Sequence, residues 1–222
     1  MEYSKFIDHT LLKADATDAE IKRICEEAIK FKFKAVCINS IHIPLAKKML
    51  KNSDVLVCTV VGFPLGASPK EVKTLEAQLA IENGADEVDM VINIAALKDK
   101  KYDTVKEDII SVAKECHKHK KVLKVIIETC LLNDEEKINV CKIAMAAKAD
   151  FVKTSTGFSN GGATIEDITL MRKTVGPSMG VKASGGVRDL ISFKTMIEAG
   201  ATRIGTSSGV KIMQGQVSTS NY

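Results

Sequence analysis

Along this chain, short apolar runs rich in β-branched residues alternate with longer stretches patterned at helical spacing. The runs are Ala35 to Asn39, Val55 to Val61, Glu87 to Asn93, Val122 to Thr129, Phe151 to Thr156, Val181 to Ser184 and Arg203 to Thr206, with a shorter eighth candidate at Phe6 to His9. Most are nearly continuous in apolar residues, as parallel strands covered on both faces are. Helical patterns fill the gaps at Thr17 to Phe33, Ser68 to Asn83, Tyr102 to Lys120, Asn133 to Ala147, Thr164 to Val175 and Asp189 to Ala199. Thr17 and Glu20 have capping-box spacing. Ser68-Pro69 reads as an N-cap followed by proline at the first helical position. Gly84 and Gly200 suit the residue just past a helix end.

This alternation predicts βαβ units around a parallel sheet. About eight such units in a chain of 222 residues fit the α/β class as a single closed (β/α)8 barrel, a TIM barrel, with an open doubly wound sheet as the rival. No linker, low-complexity stretch or composition break divides the chain. Residues 1–222 therefore read as one domain, with the polar end 215–222 expected to be a mobile tail.

Composition narrows the function classes. The chain is 45% hydrophobic and 27% charged, ordinary for a soluble globular protein. A net charge of +4 argues against a dedicated nucleic-acid surface while leaving room for a local anion site. No apolar run approaches a bilayer span, so no membrane partner is expected. The first residues lack an apolar stretch behind a basic start, so no signal peptide is expected. Cys25, Cys37, Cys58, Cys116, Cys130 and Cys141 form no C-x-x-C pair, and several sit in apolar runs. Reduced, buried thiols in a cytoplasmic protein are the simplest account. His9, His42, His117 and His119 show no metal-ligand spacing, His9 reading as a structural residue beside Asp8. Neither a dinucleotide glycine motif nor a P-loop appears. The expected cofactor is none and the expected metal is none.

In a barrel, chemistry gathers at the C-terminal ends of strands. Lys153 and Lys182 both lie inside apolar runs, and each is followed by a Gly/Ser/Thr cluster. A buried lysine needs a reason. Desolvation or a neighbouring cation favours the neutral, nucleophilic amine. One such lysine alone would more simply snorkel outward or pair with a carboxylate. Two on sequential strands point to function. Asp89 fits a proton relay or, equally, a structural ion pair. Lys124 and Glu128 share strand parity and read either as support for the lysines or as a pair with each other. Gly185-Gly186-Val187-Arg188 and Gly205-Thr206-Ser207-Ser208-Gly209 follow the last two strands, where barrels bind phosphate. A short helix starting near Ser207 would add its dipole there.

Several segments carry a family resemblance: Asp8 to Lys13, Thr59 to Gly66, Glu87 to Asn93, Lys124 to Thr129, Lys153-Thr154-Ser155-Thr156-Gly157-Phe158, Lys182-Ala183-Ser184-Gly185-Gly186 with Arg188, and Ile204 to Gly209. The chain resembles the deoxyribose-phosphate aldolase family, class I (Schiff-base) aldolases, from near its start to about Gln214. The resemblance implies reversible cleavage of 2-deoxy-D-ribose 5-phosphate to D-glyceraldehyde 3-phosphate and acetaldehyde, a reaction of deoxyribonucleotide catabolism. It implies Lys153 as the imine-forming residue, and Lys182 and Asp89 as its catalytic partners. Gly185, Gly186, Gly205, Ser207 and Ser208 would be the phosphate site. It further implies a cofactor-free, cytoplasmic homodimer acting on a small sugar phosphate. Some family members end in a tyrosine that assists proton transfer; this chain ends in Tyr222. The rivals are another Schiff-base aldolase, a phosphate-sugar isomerase and a catalytically silent barrel.

Overall fold

In the computed structural model, which describes residues 2–218, all eight apolar runs become strands. They are β1 (Ile7–Leu11), β2 (Ala35–Ile38), β3 (Leu56–Val61), β4 (Glu87–Val91), β5 (Val122–Ile126), β6 (Phe151–Lys153), β7 (Gly180–Ser184) and β8 (Arg203–Thr206). Each pairs in parallel with the next, and β8 returns to β1, closing a barrel. The open doubly wound alternative is thereby excluded. Tyr222 lies outside the described residues.

The connecting helices are α1 (Asp18–Phe31), α2 (Ile43–Met49), α3 (Lys70–Glu82), α4 (Ile94–Lys98), α5 (Tyr102–Lys118), α6 (Asp134–Ala146), α7 (Ile165–Val175), α8 (Leu190–Glu198) and α9 (Gly209–Met213). Side-chain caps fix several starts. Thr17, Asn133 and Asp189 each form a capping box, and Thr164 accepts from the Asp167 amide. The α3 start differs from the sequence expectation. Pro69 occupies the cap position, so the helix starts one residue later than expected, and the Pro69 carbonyl accepts from Val72 and Lys73; Ser68 does not cap. Helices α2 and α4 carried no periodic signal, because seven and five residues are too short to show one.

The strands' outward residues and the inner helix faces form one continuous apolar shell, including Val36, Val57, Val88, Leu123, Val125, Val152 and Val181, all without exposed surface. Inside the barrel the apolar sector is small: Leu12, Ala35, Cys37, Cys58 and Val60, mainly on β2 and β3. Beside it the interior holds a cluster of charged side chains.

Candidate active site

Alternation along each strand sends Asp8, Glu87, Asp89, Lys124, Lys153, Lys182 and Arg203 into the barrel. Register does the rest. Asp89 pairs with Lys124 across β4–β5, Lys153 with Lys182 across β6–β7, and Lys182 with Arg203 across β7–β8. Asp89 is the hub. Its Oδ2 accepts from Lys153 Nζ at 2.9 Å and from Lys182 Nζ at 2.7 Å. Its Oδ1 accepts from Lys124 Nζ at 2.7 Å and from the Cys58 thiol at 3.2 Å. Lys182 also donates to Asp8 at 2.5 Å. Lys124 also meets Glu87 at 2.6 Å. Arg203 clamps the far side, reaching Asp8 at 2.5 Å and Glu87 at 2.8 Å.

Asp8, Asp89, Lys124 and Lys182 have no exposed surface, whereas Lys153, at the C-terminal end of β6, keeps 3%. Burial alone would drive these groups toward their neutral forms. For the carboxylates that penalty is overcome. Arg203, Lys182 and Lys124 hold Asp8 below the ordinary range, and the three lysines hold Asp89 well below it. Burial likewise opposes the charge on Lys182 and Lys124. Asp8 and Asp89 raise Lys182 nonetheless, and Asp89 leads the groups that raise Lys124. Asp8, Asp89, Lys124 and Lys182 are thus held charged, and one Asp89 oxygen bridges the amines of Lys153 and Lys182.

The Cys37 and Cys58 sulfurs and an Asp89 oxygen lie within 4.8 Å of one another, a spacing that could hold a metal ion. The Lys124 ammonium already fills that role, at 3.3 Å from Cys58 Sγ and 2.7 Å from Asp89 Oδ1. The histidines stand elsewhere, against Glu27, Asp18, Asp150 and Glu115.

Beyond β7 and β8 the construction changes. Gly185, Gly186, Val187, Arg188, Gly205, Thr206, Ser207 and Ser208 line a hollow of about 30 Å³. It adjoins a cavity of about 420 Å³ that shares Ser207 and Ser208 and runs toward α1. Gly185 has φ +80°, and a Cβ there would meet Gly162 Cα at 3.0 Å, so any side chain at this position is strained. Thr206 ties the two loops, donating to Val187 O at 2.8 Å and accepting from Ser208 N at 3.0 Å. Two details differ from expectation. Gly205 belongs to β8 itself, opposite Ser184, rather than to the loop. The helix near Ser207 is the five-residue α9, with Ser208 at its cap position but making no side-chain cap, and it is too short to carry much dipole.

Lys124 and Glu128 do not pair. The strand ends at Ile126, and Glu128 sits at φ 55°, ψ 67°, so strand parity no longer governs it. Its buried carboxylate accepts from the Thr156 hydroxyl at 2.5 Å and the Thr156 amide at 3.3 Å, fastening the loop just past Lys153. The sequence reading passed over Asp8, Glu87 and Arg203 as site residues. All three are charged residues inside apolar runs, the same signal that singled out Lys153.

The DeoC/LacD family aldolase profile matches residues 4–215. The chain belongs to the DeoC/LacD aldolase family. It is 60% identical over 220 residues to a deoxyribose-phosphate aldolase of Lysinibacillus sphaericus, covering 99% of this chain and 98% of that one. A deoxyribose-phosphate aldolase of Lactococcus lactis is 59% identical over the full length of both chains. Among solved structures, the tetrameric deoxyribose phosphate aldolase of Aeropyrum pernix is similar, at 33% identity and a TM-score of 0.90, over 96% of this chain and 89% of that one. Within this DeoC/LacD barrel, the bridged amines of Lys153 and Lys182 and the adjoining glycine-lined hollow lie side by side at the C-terminal end, where such folds work.

Proposed function

We propose that this aldolase reversibly cleaves 2-deoxy-D-ribose 5-phosphate to D-glyceraldehyde 3-phosphate and acetaldehyde, through a Schiff base on Lys153. The observation that carries the reading is Asp89 Oδ2, shared between Lys153 Nζ at 2.9 Å and Lys182 Nζ at 2.7 Å. Of the three lysines, Lys153 is the one with exposed surface, and it ends its strand.

The free amine of Lys153 attacks C1 of the open-chain aldehyde, and loss of water gives an iminium. The iminium draws in the C2–C3 bonding pair as that bond breaks. The C3 hydroxyl proton is lost, and glyceraldehyde 3-phosphate departs. The enamine left on Lys153 takes a proton at C2, and water then releases acetaldehyde and the free amine. Asp89 and Lys182 form the path by which protons reach and leave the reacting atoms, in a nest that is almost dry. The glycine-lined hollow takes the C5 phosphate through Gly185, Gly186, Gly205, Ser207 and Ser208, so binding energy remote from the cleaved bond positions C1 at Lys153.

The same proposal takes the chain as a single-domain, cytoplasmic homodimer working on a small sugar phosphate without a cofactor. Supporting an association face, Val72, Leu75 and Leu79 on α3 are 44%, 53% and 48% exposed at i, i+3, i+7 spacing. Among the described residues no helix is long and apolar enough to cross a membrane.

The test is borohydride reduction in the presence of deoxyribose 5-phosphate or acetaldehyde, followed by peptide mapping. An adduct on Lys153, absent in Lys153→Ala, is the expected result. A folded protein with no adduct would end the Schiff-base reading.

A further inference from the structure

Buried hydroxyls in folded proteins normally find a partner. The Ser184 hydroxyl is buried and has none among the described groups, although the Ser184 backbone is fully engaged. Its amide donates to Thr154 Oγ1 at 3.1 Å, and its carbonyl accepts from the Ala163 amide at 3.0 Å. The residue lies two positions beyond Lys182, on the same strand face and one step nearer the barrel mouth. Across the sheet it stands opposite Gly205. A Cβ at Gly205 would fall 2.5 Å from Ser184 Oγ and 3.1 Å from Lys182 Cε. The Ser184 hydroxyl and the Lys182 stem therefore occupy the place a side chain at Gly205 would take, which holds the hydroxyl beside the lysine. The next residues along the chain, Gly185 and Gly186, line the phosphate hollow.

The position is chemically specific. On the aldolase reading, on which this inference rests, substrate C1 is held at Lys153 and the C5 phosphate beyond β7. Carbons 3 and 4, each with a hydroxyl, span the interval. The C3 hydroxyl must lose its proton at cleavage and belongs beside the charged nest. The C4 hydroxyl lies one carbon nearer the phosphate, level with the step from Lys182 to Gly185. We propose that Ser184 hydrogen-bonds the C4 hydroxyl, which is the C2 hydroxyl of glyceraldehyde 3-phosphate in the synthetic direction. Ser184 is then a specificity-determining residue for hydroxylated acceptors. A site polar group left unpaired by the wrong substrate is the strongest basis for such discrimination.

The test is aldol synthesis from acetaldehyde with two acceptors, D-glyceraldehyde 3-phosphate and 3-phosphooxypropanal, which lacks the hydroxyl. Ser184→Ala should lower kcat/KM for the hydroxylated acceptor about tenfold and leave the deoxy acceptor within about twofold. Its Tm should be unchanged or higher, because an unpaired buried hydroxyl is being removed. Ser184→Cys, which keeps the volume, should repeat the acceptor pattern if the alanine variant folds poorly. Equal losses on both acceptors, or no loss on either, in the variant that folds would make Ser184 structural and overturn the proposal. Wild-type enzyme that turns over neither acceptor and forms no borohydride adduct would instead remove the aldolase reading, and this one with it.

Discussion

Two regions of different construction meet at the mouth of β7 and β8. The nest is made of long charged side chains whose ends converge on Asp89, and nearly all of its surface is buried. The hollow beside it is made of glycines, serines and backbone, with Arg188 exposed at its edge. In the nest, position is enforced by charge: each ammonium faces a carboxylate that burial would otherwise neutralise. In the hollow, position is enforced by backbone conformation, at Gly185 φ and in the Thr206 cross-tie. Chemistry and stability are therefore fused in the nest and separable in the hollow, and the two should fail differently when damaged.

The largest expected difference comes from Asp89→Asn. The amide preserves shape but leaves Lys124, Lys153 and Lys182 without their shared anion. Unpairing buried charge costs roughly 3–5 kcal/mol, a fall in Tm of about 10 °C for a chain of this length. Turnover should collapse together with stability, measured by thermal unfolding and steady-state assay on the same preparation. A variant that stays as stable as wild type while losing activity would show that the charges are not the scaffold of the nest.

The hollow should break the other way. Gly185→Ala adds a Cβ at φ +80°, 3.0 Å from Gly162 Cα. Local strain of roughly 1–2 kcal/mol should appear as a KM for the phosphorylated substrate raised about tenfold, with kcat little changed. Unphosphorylated 2-deoxyribose should be turned over as before. Equal loss on both sugars would mean that the glycine loop shapes the nest rather than the phosphate site.

The same contrast explains what could be read from the sequence. Apolar runs marked all eight strands because a parallel sheet covered by helices leaves its strands little polar freedom. Lys153, Lys182 and Asp89 stood out because charge inside such runs is costly. Asp8, Glu87 and Arg203 obeyed the same rule but were passed over, since their partners lie on strands far apart in sequence. Arg203 and Asp8 meet only because the barrel closes. Glu128 was misread because nothing local announces a glutamate with φ 55°. Its backbone turns there to reach Thr156, a contact 28 residues ahead. Ser184 looked like one more small residue in a glycine-rich stretch, and its unpartnered hydroxyl exists only in the fold.

The smallest expected effect, and the one that separates the regions without any mutation, is the response to pH. Asp8, Glu87 and Asp89 are all held below the ordinary carboxylate range by their cationic neighbours, against the pull of burial. Groups with lowered folded values stabilise the fold above their unfolded value of about 4, and that stability is lost only as pH falls through the lower folded values. Lys124 and Lys182 are raised, so their contribution holds below about 10.5 and is lost as pH climbs through the higher folded values. The nest carboxylates and these two lysines therefore keep their charges between pH 7 and 5.5. The substrate phosphate does not: its second proton binds near pH 6. If the hollow favours the dianion, KM should rise about fourfold between pH 7 and 5.5 while Tm stays level. A Tm that fell in step with KM would place a titrating group inside the nest and erase the separation between the two regions.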